Sequence, residues 1–111
     1  MRPRLKVWVV FGKGTKFGDG RAELLRLVER EGSLQRAVGR LGMSYRSAWG
    51  YLRELERAAG FKLVERPPGA GPAAGMRLTA QGRAFLRRYE TFRTALDRAV
   101  PRLFGRSFRG R

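Results

Sequence analysis

Two short apolar-patterned segments, 34–40 and 44–59, are separated only by Leu41-Gly42-Met43, and this spacing constrains the fold more than any other feature of the chain. Two helices joined by a three- or four-residue turn carrying Gly cross at a fixed steep angle. Ser33 and Ser44 are placed to cap the two segments, and Gly60 to end the second in the left-handed conformation. Ala37 supplies the small residue where the helices touch, while Leu41, Met43, Ala48, Leu52 and Leu55 fill the inside. The pattern is that of a helix-turn-helix. An ordinary antiparallel helix pair shares parts of it, but seldom with a strand, a Gly/Pro loop and a second strand directly after.

Those strands are legible. Phe61-Lys62-Leu63-Val64-Glu65 alternates, the stretch 67–75 (PPGAGPAAG) reads as loop, and Met76-Arg77-Leu78 can pair back. Upstream, 4–11 (RLKVWVVF) reads as a strand, Gly12-Lys13-Gly14-Thr15 as a turn, and Thr15-Lys16-Phe17 as a short antiparallel return. A phosphate-binding Walker loop needs a Gly five residues before its Gly-Lys pair, and Val7 stands there. Asp19 is placed to cap a helix over 21–30 ended by Gly32, and Thr79 one over 80–100 stopped by Pro101. The expected fold is mainly α with small β: a winged helix-turn-helix with an N-terminal β-hairpin and a long C-terminal helix. The expected division is one domain over 1–101, with a dimerisation helix at 79–100, and a basic, disordered tail over 102–111.

At 100° per residue, Ala48, Leu52, Leu55 and Ala59 share one face of segment 44–59, flanked by Tyr45, Trp49 and Tyr51. Arg46, Gly50, Arg53 and Arg57 occupy the opposite face, with Ser47 and Glu54 at its edge. A solvated charged face has this composition. So has a helix seated in a DNA major groove, where Arg reaches guanine edges or phosphates and Gly admits close backbone approach. Ser44 serves as N-cap and can also hold a phosphate at the positive helix end, two compatible roles. Trp49, at the boundary of the two faces, fits packing better than base contact.

Charge favours the groove. The 111 residues carry 25 Lys+Arg against 9 Asp+Glu, a formal net charge of +16. Such self-repulsion costs stability unless a polyanion is the usual neighbour. Most of the excess is Arg, whose planar fork suits phosphate and guanine. The absence of Cys and His removes disulfides, thiolate and imidazole metal ligands, and the common nucleophile–base pairs. Glu54 and Glu56 are two apart, on different helix faces, and form no catalytic pair. Neither an enzyme nor a cofactor or metal is expected. The apolar run 7–11 is far shorter than the ~20 residues of a membrane span. A cytoplasmic, nucleoid-associated protein is the expectation.

The stretch 31–92 resembles the N-terminal DNA-binding domain of ModE-type, molybdate-responsive transcription regulators. Gly42-Met43-Ser44-Tyr45-Arg46-Ser47-Ala48-Trp49 is the most specific piece, and Leu63-Val64-Glu65-Arg66 and Leu78-Thr79 with Gly82 also match. The second of these motifs is shared with LysR-type regulators. The resemblance implies DNA contact by Tyr45, Arg46, Ser47 and Arg53, with the wing 67–75 against a flanking groove or backbone. With no basic residue between Pro67 and Met76, phosphate contacts there fall to Arg66 and Arg77. Family members dimerise through helices flanking the winged helix. Phe85, Tyr89, Phe92, Leu96 and Ala99 form a candidate seam, although packing on the domain's own core also explains Phe85 and Tyr89. ModE-type proteins carry a C-terminal oxyanion-binding domain; the expectation here is the DNA-binding domain without it, and the residues name no small-molecule effector.

Three functions compete at this level. The leading one is a dimeric, sequence-specific regulator of transcription with Ser44, Tyr45, Arg46, Ser47, Gly50, Arg53, Arg57, Arg66 and Arg77 on double-stranded DNA. The second is a sequence-tolerant architectural or chromatin-like DNA-binding protein. The third, least favoured, is an adaptor that turns the same surfaces to protein or RNA.

Overall fold

Phe17, Leu24, Leu25, Val28, Leu52, Leu55, Leu63 and Leu78 are all but completely withdrawn from water, and they come from well-separated parts of the chain. The computed structural model describes residues 1–68 and 75–109. In order the elements are β1 (Trp8–Phe11), β2 (Thr15–Gly18), α1 (Asp19–Glu31), α2 (Leu34–Leu41), α3 (Tyr45–Ala59), β3 (Val64–Glu65), β4 (Arg77–Leu78) and α4 (Ala80–Phe104). The architecture is mainly α, with two antiparallel two-stranded sheets, a helix-turn-helix at α2–α3 and a wing at β3–β4. It is the winged helix expected.

Local rules set the helix ends. The Ser33, Ser44 and Thr79 side chains accept backbone N–H groups from Arg36, Ser47 and Gly82, each satisfying one orphan donor of a first turn. Gly42 at φ +66° turns the chain between α2 and α3, and Gly60 at φ +84° ends α3, conformations a side chain would strain. The first hairpin pairs Trp8 with Gly18 and Phe11 with Thr15, so Val9 and Phe11 lean on the core while Trp8 and Val10 face out. The wing pairs Val64 with Leu78 and Glu65 with Arg77.

Two carboxylates and one glycine hold the wing's base. Glu56 of α3 accepts the N–H groups of Leu63 (2.7 Å) and Val64 (3.3 Å), and Glu29 of α1 accepts that of Leu78 (3.1 Å). A Cβ on Gly82 would sit 2.3 Å from the Leu63 carbonyl oxygen, so the first turn of α4 reaches the wing only because residue 82 has no side chain. That contact gives the Leu78-Thr79 and Gly82 motif its physical meaning.

The structure corrects several expectations. Asp19 does not cap α1: the helix begins at Asp19 itself with no side-chain cap, and its carboxylate instead takes bonds from Tyr89 and Arg93. The first strand begins at Trp8, and Leu5 is exposed. Pro101 does not stop α4, which continues to Phe104 and passes into a π-helical turn over Gly105–Arg109, so 102–109 is ordered helix rather than disordered tail. A proline removes one hydrogen bond of an established helix, and residue 101 is exposed, where water can serve the carbonyl left over. Residues 110 and 111, and 69–74 of the loop at 67–75, lie outside the described residues.

Phe85 and Tyr89 pack on the domain's own core, the alternative to a dimer seam that the sequence also allowed. Tyr89 is buried, and the Phe17 ring packs edge-on against both rings at 4.7 Å and 5.0 Å. Phe11 and Phe61 complete the cluster around Phe85. The apolar stripe of α4 therefore changes role along its length: its first turns close the domain, and Phe92 beyond them is exposed.

Candidate nucleic-acid interface

α3 is held by its inner face. Ala48, Leu52 and Leu55 are completely buried and Tyr51 nearly so, its hydroxyl donating to the Lys16 carbonyl oxygen at 3.1 Å. With the inner face fixed, the opposite one has no choice: Arg46, Gly50, Arg53 and Arg57 are all exposed. Among the described residues Arg46 and Arg57 have no ion-pair partner, and Arg53 lies over the Trp49 ring, 5.4 Å from its centroid. Among the described residues no acid neutralises their charge. Gly50, like Gly39 in α2, has nothing of the protein within 4 Å of where a Cβ would stand. No internal packing requires a glycine there.

The flanks are polar and aromatic. Ser44 Oγ accepts the Ser47 N–H at 3.0 Å, so the capping role is filled, and both residues are exposed at the helix start. Tyr45, also exposed, meets Trp49 edge-on at 6.4 Å, and Trp49 is half-buried against the core, where packing is its observed role. A cleft of about 400 Å³ separates Tyr45 and Trp49 from the wing, with Ser33, Lys62, Glu65 and Arg66 on its walls. Arg66 is exposed at the wing base, whereas Arg77 is engaged, its Nε 2.9 Å from Glu65 across the strand pair. That pairing leaves Arg77 less charge for a phosphate than the sequence suggested.

The arrangement matches a known family over most of the domain. Residues 21–83, from α1 through the start of α4, match the bacterial regulatory helix-turn-helix proteins of the lysR family. The chain belongs to that family. Curated relatives and a solved structure match as well. ModE of Azotobacter vinelandii, a molybdenum transport protein, is 36% identical over 94 residues, covering 81% of this chain and 35% of its own. ModE of Escherichia coli K12, a DNA-binding transcriptional dual regulator, is 31% identical over 70 residues, covering 63% and 27%. The chain thus spans about a third of the length of the curated relatives it matches, and the ModE resemblance drawn from residues 31–92 rests on real relatives. The DNA-binding domain of CbnR, solved in complex with DNA, superposes with a TM-score of 0.57 at 27% identity over 73% of this chain and 88% of that one.

Two features of this surface escaped sequence reasoning. One is the Glu56 clasp on the wing base, whose partners are seven and eight residues away across a helix end. The other is a cation cluster on the first hairpin: Lys6 and Lys16 lie over the Trp8 ring, and the Arg21 guanidinium stacks on Tyr51 at 3.8 Å. The clustering of basic residues before position 22 was the only signal available for the second. No helix among the described residues is long and apolar enough to cross a membrane.

Proposed function

We propose that this chain is the DNA-binding unit of a sequence-specific transcription regulator, with α3 entering the major groove. One observation carries the reading: Arg46, Gly50, Arg53 and Arg57 form an exposed stripe on a helix whose opposite face is completely buried, and among the described residues none of the three arginines is paired with an acid. Within that stripe Arg46 and Arg53 read base edges and Arg57 holds phosphate; Ser44, Tyr45 and Ser47 at the helix start and Arg66 at the wing base position the duplex. Arg77 contributes less, being paired with Glu65. Membership of a regulatory family and the fold shared with a DNA-bound domain support the same reading.

The unit acts as a homodimer at the nucleoid. α4 is 25 residues long, about 37 Å of helix, and carries exposed Phe92 and Leu103 beyond the part that closes the domain. A second copy covering that exposed stripe would set two α3 helices about 34 Å apart, one turn of DNA, on a roughly palindromic site. Phe92 and Leu96 belong to this seam; Phe85 and Tyr89 do not.

Selection of bound duplexes from a random pool tests the reading. It should return one enriched, two-fold symmetric sequence, preferred by ~10³ or more over bulk DNA at fixed salt. Arg46→Ala should cost ~1–3 kcal/mol and relax a single base position. A pool that shows no enrichment while binding stays tight and steeply salt-dependent would establish the architectural alternative in its place.

A further inference from the structure

We infer that the β1–β2 hairpin is a second cationic arm, lying on the phosphate backbone of the duplex that α3 reads, on the flank of α3 opposite the wing. The inference rests on the DNA-binding reading above and extends it to residues that precede the stretch, 21–83, matched by the lysR family.

Charge is the first argument. Residues 1–18 include Arg2, Arg4, Lys6, Lys13 and Lys16 and not one Asp or Glu. Folding brings two of them, Lys6 and Lys16, onto one ring. The Lys6 and Lys16 ammonium groups lie 5.8 Å and 4.8 Å from the centroid of the same Trp8 ring, which rests on Gly18, where a Cβ would come within 2.8 Å of Trp8 Cδ1. Arg21 donates from Nη1 to the Lys16 carbonyl oxygen at 3.1 Å, closing the group. Among the described residues none of Lys6, Lys13, Lys16 and Arg21 has an ion-pair partner, and the neighbouring Asp19 is committed to Tyr89 and Arg93. Like charges held this close raise each other's energy unless an anion arrives.

Position is the second. The hairpin is tied to α3 by two bonds, Tyr51 Oη to the Lys16 carbonyl oxygen and Thr15 Oγ1 to Glu54 Oε1 at 3.3 Å. At 100° per residue Tyr51 and Glu54 lie to one side of the Arg46-Gly50-Arg53-Arg57 stripe, and Tyr45 and Trp49, which line the wing cleft, lie to the other. A helix in a major groove about 12 Å wide has a phosphate strand on each flank. The wing base faces one of them and the hairpin is placed for the other, with Lys13 at its tip, where the Gly14 N–H closes the turn on the Phe11 carbonyl at 3.1 Å.

The test is duplex binding by the whole chain across a salt series. Lys13→Ala/Lys16→Ala should lower the slope of log affinity against log salt by about 1.8, at ~0.9 per phosphate contact. The loss should be equal for preferred and scrambled duplexes, with thermal stability unchanged, and Lys13→Arg/Lys16→Arg should restore it. Lys13→Glu alone, at the exposed tip, should weaken binding further than Lys13→Ala. An unchanged slope in the double variant, with Arg46→Ala/Arg53→Ala still abolishing sequence preference, overturns this inference and leaves the proposed function standing. A wild-type chain that binds no duplex overturns both.

Discussion

The Tyr89 hydroxyl donates a 2.5 Å hydrogen bond to Asp19 Oδ1, tying α4 to the first turn of α1 across 70 positions of sequence. Arg93 donates to the same carboxylate from Nε at 3.1 Å and 3.2 Å and reaches back to the Leu5 carbonyl oxygen through Nη2. The acid also sits where the positive end of the α1 dipole favours it. Tyr89→Phe should therefore destabilise the chain by about 1 kcal/mol, since Asp19 keeps Arg93 and partial access to water. Thermal melting should register this as a drop of roughly 4–8 °C. No change would mean that the bond contributes nothing net.

Alkaline pH should act through the same group. Burial, then the hydrogen bond to Asp19, pushes Tyr89 up to about 12, and burial pushes Tyr51 up to about 12. A tyrosine whose folded pKa exceeds its unfolded value near 10 contributes stability that is complete below pH ~10 and lost as pH rises through ~12. Denaturant midpoints measured from pH 9 to pH 12 should fall steeply for the wild type. Tyr51→Phe/Tyr89→Phe should fall less, because phenylalanine releases no proton; parallel curves would remove both tyrosines from the account.

Ala48→Glu should unfold the helix-turn-helix instead of merely weakening DNA binding. Ala48 is completely buried on the inner face of α3, and a carboxylate there would be unpaired in the core. A loss of more than ~3 kcal/mol is expected by denaturant titration. Normal stability would show that α3 is turned differently about its axis.

Gly50→Ala separates folding from binding. With nothing among the described residues within 4 Å of the new Cβ apart from the adjacent backbone of α3 and Gly50's chain neighbours, the substitution should stabilise α3 by roughly 0.5–1 kcal/mol through backbone entropy. If the Gly50 face lies against DNA, the same methyl should weaken binding to the selected site. A variant both more stable and equally tight in binding would take Gly50 out of the interface.

Much of this molecule is written in short-range pattern. Ser33, Ser44 and Thr79 cap helices, Gly42 and Gly60 end them, and the apolar period of α3 turns Ala48, Leu52 and Leu55 inward and the arginines outward. The arginine stripe was visible for this reason: one helix period decides it. Failures came where a distant partner competed. Asp19 has the composition of a cap, yet Tyr89 and Arg93, 70 and 74 positions away and invisible to any local window, take its carboxylate. Arg77 reads as a free cation until strand pairing sets Glu65 opposite it.

The sequence by itself determined the order of elements, their ends and the exposed face of α3, because caps, turn glycines and hydrophobic period act within a few residues. Only the tertiary structure decided which aromatic residues of α4 close the core, which arginines of α3 find no acid among the described residues, and that a hairpin bearing lysines lies beside α3. Those outcomes depend on which surfaces meet, and packing brings together side chains that no spacing along the chain relates.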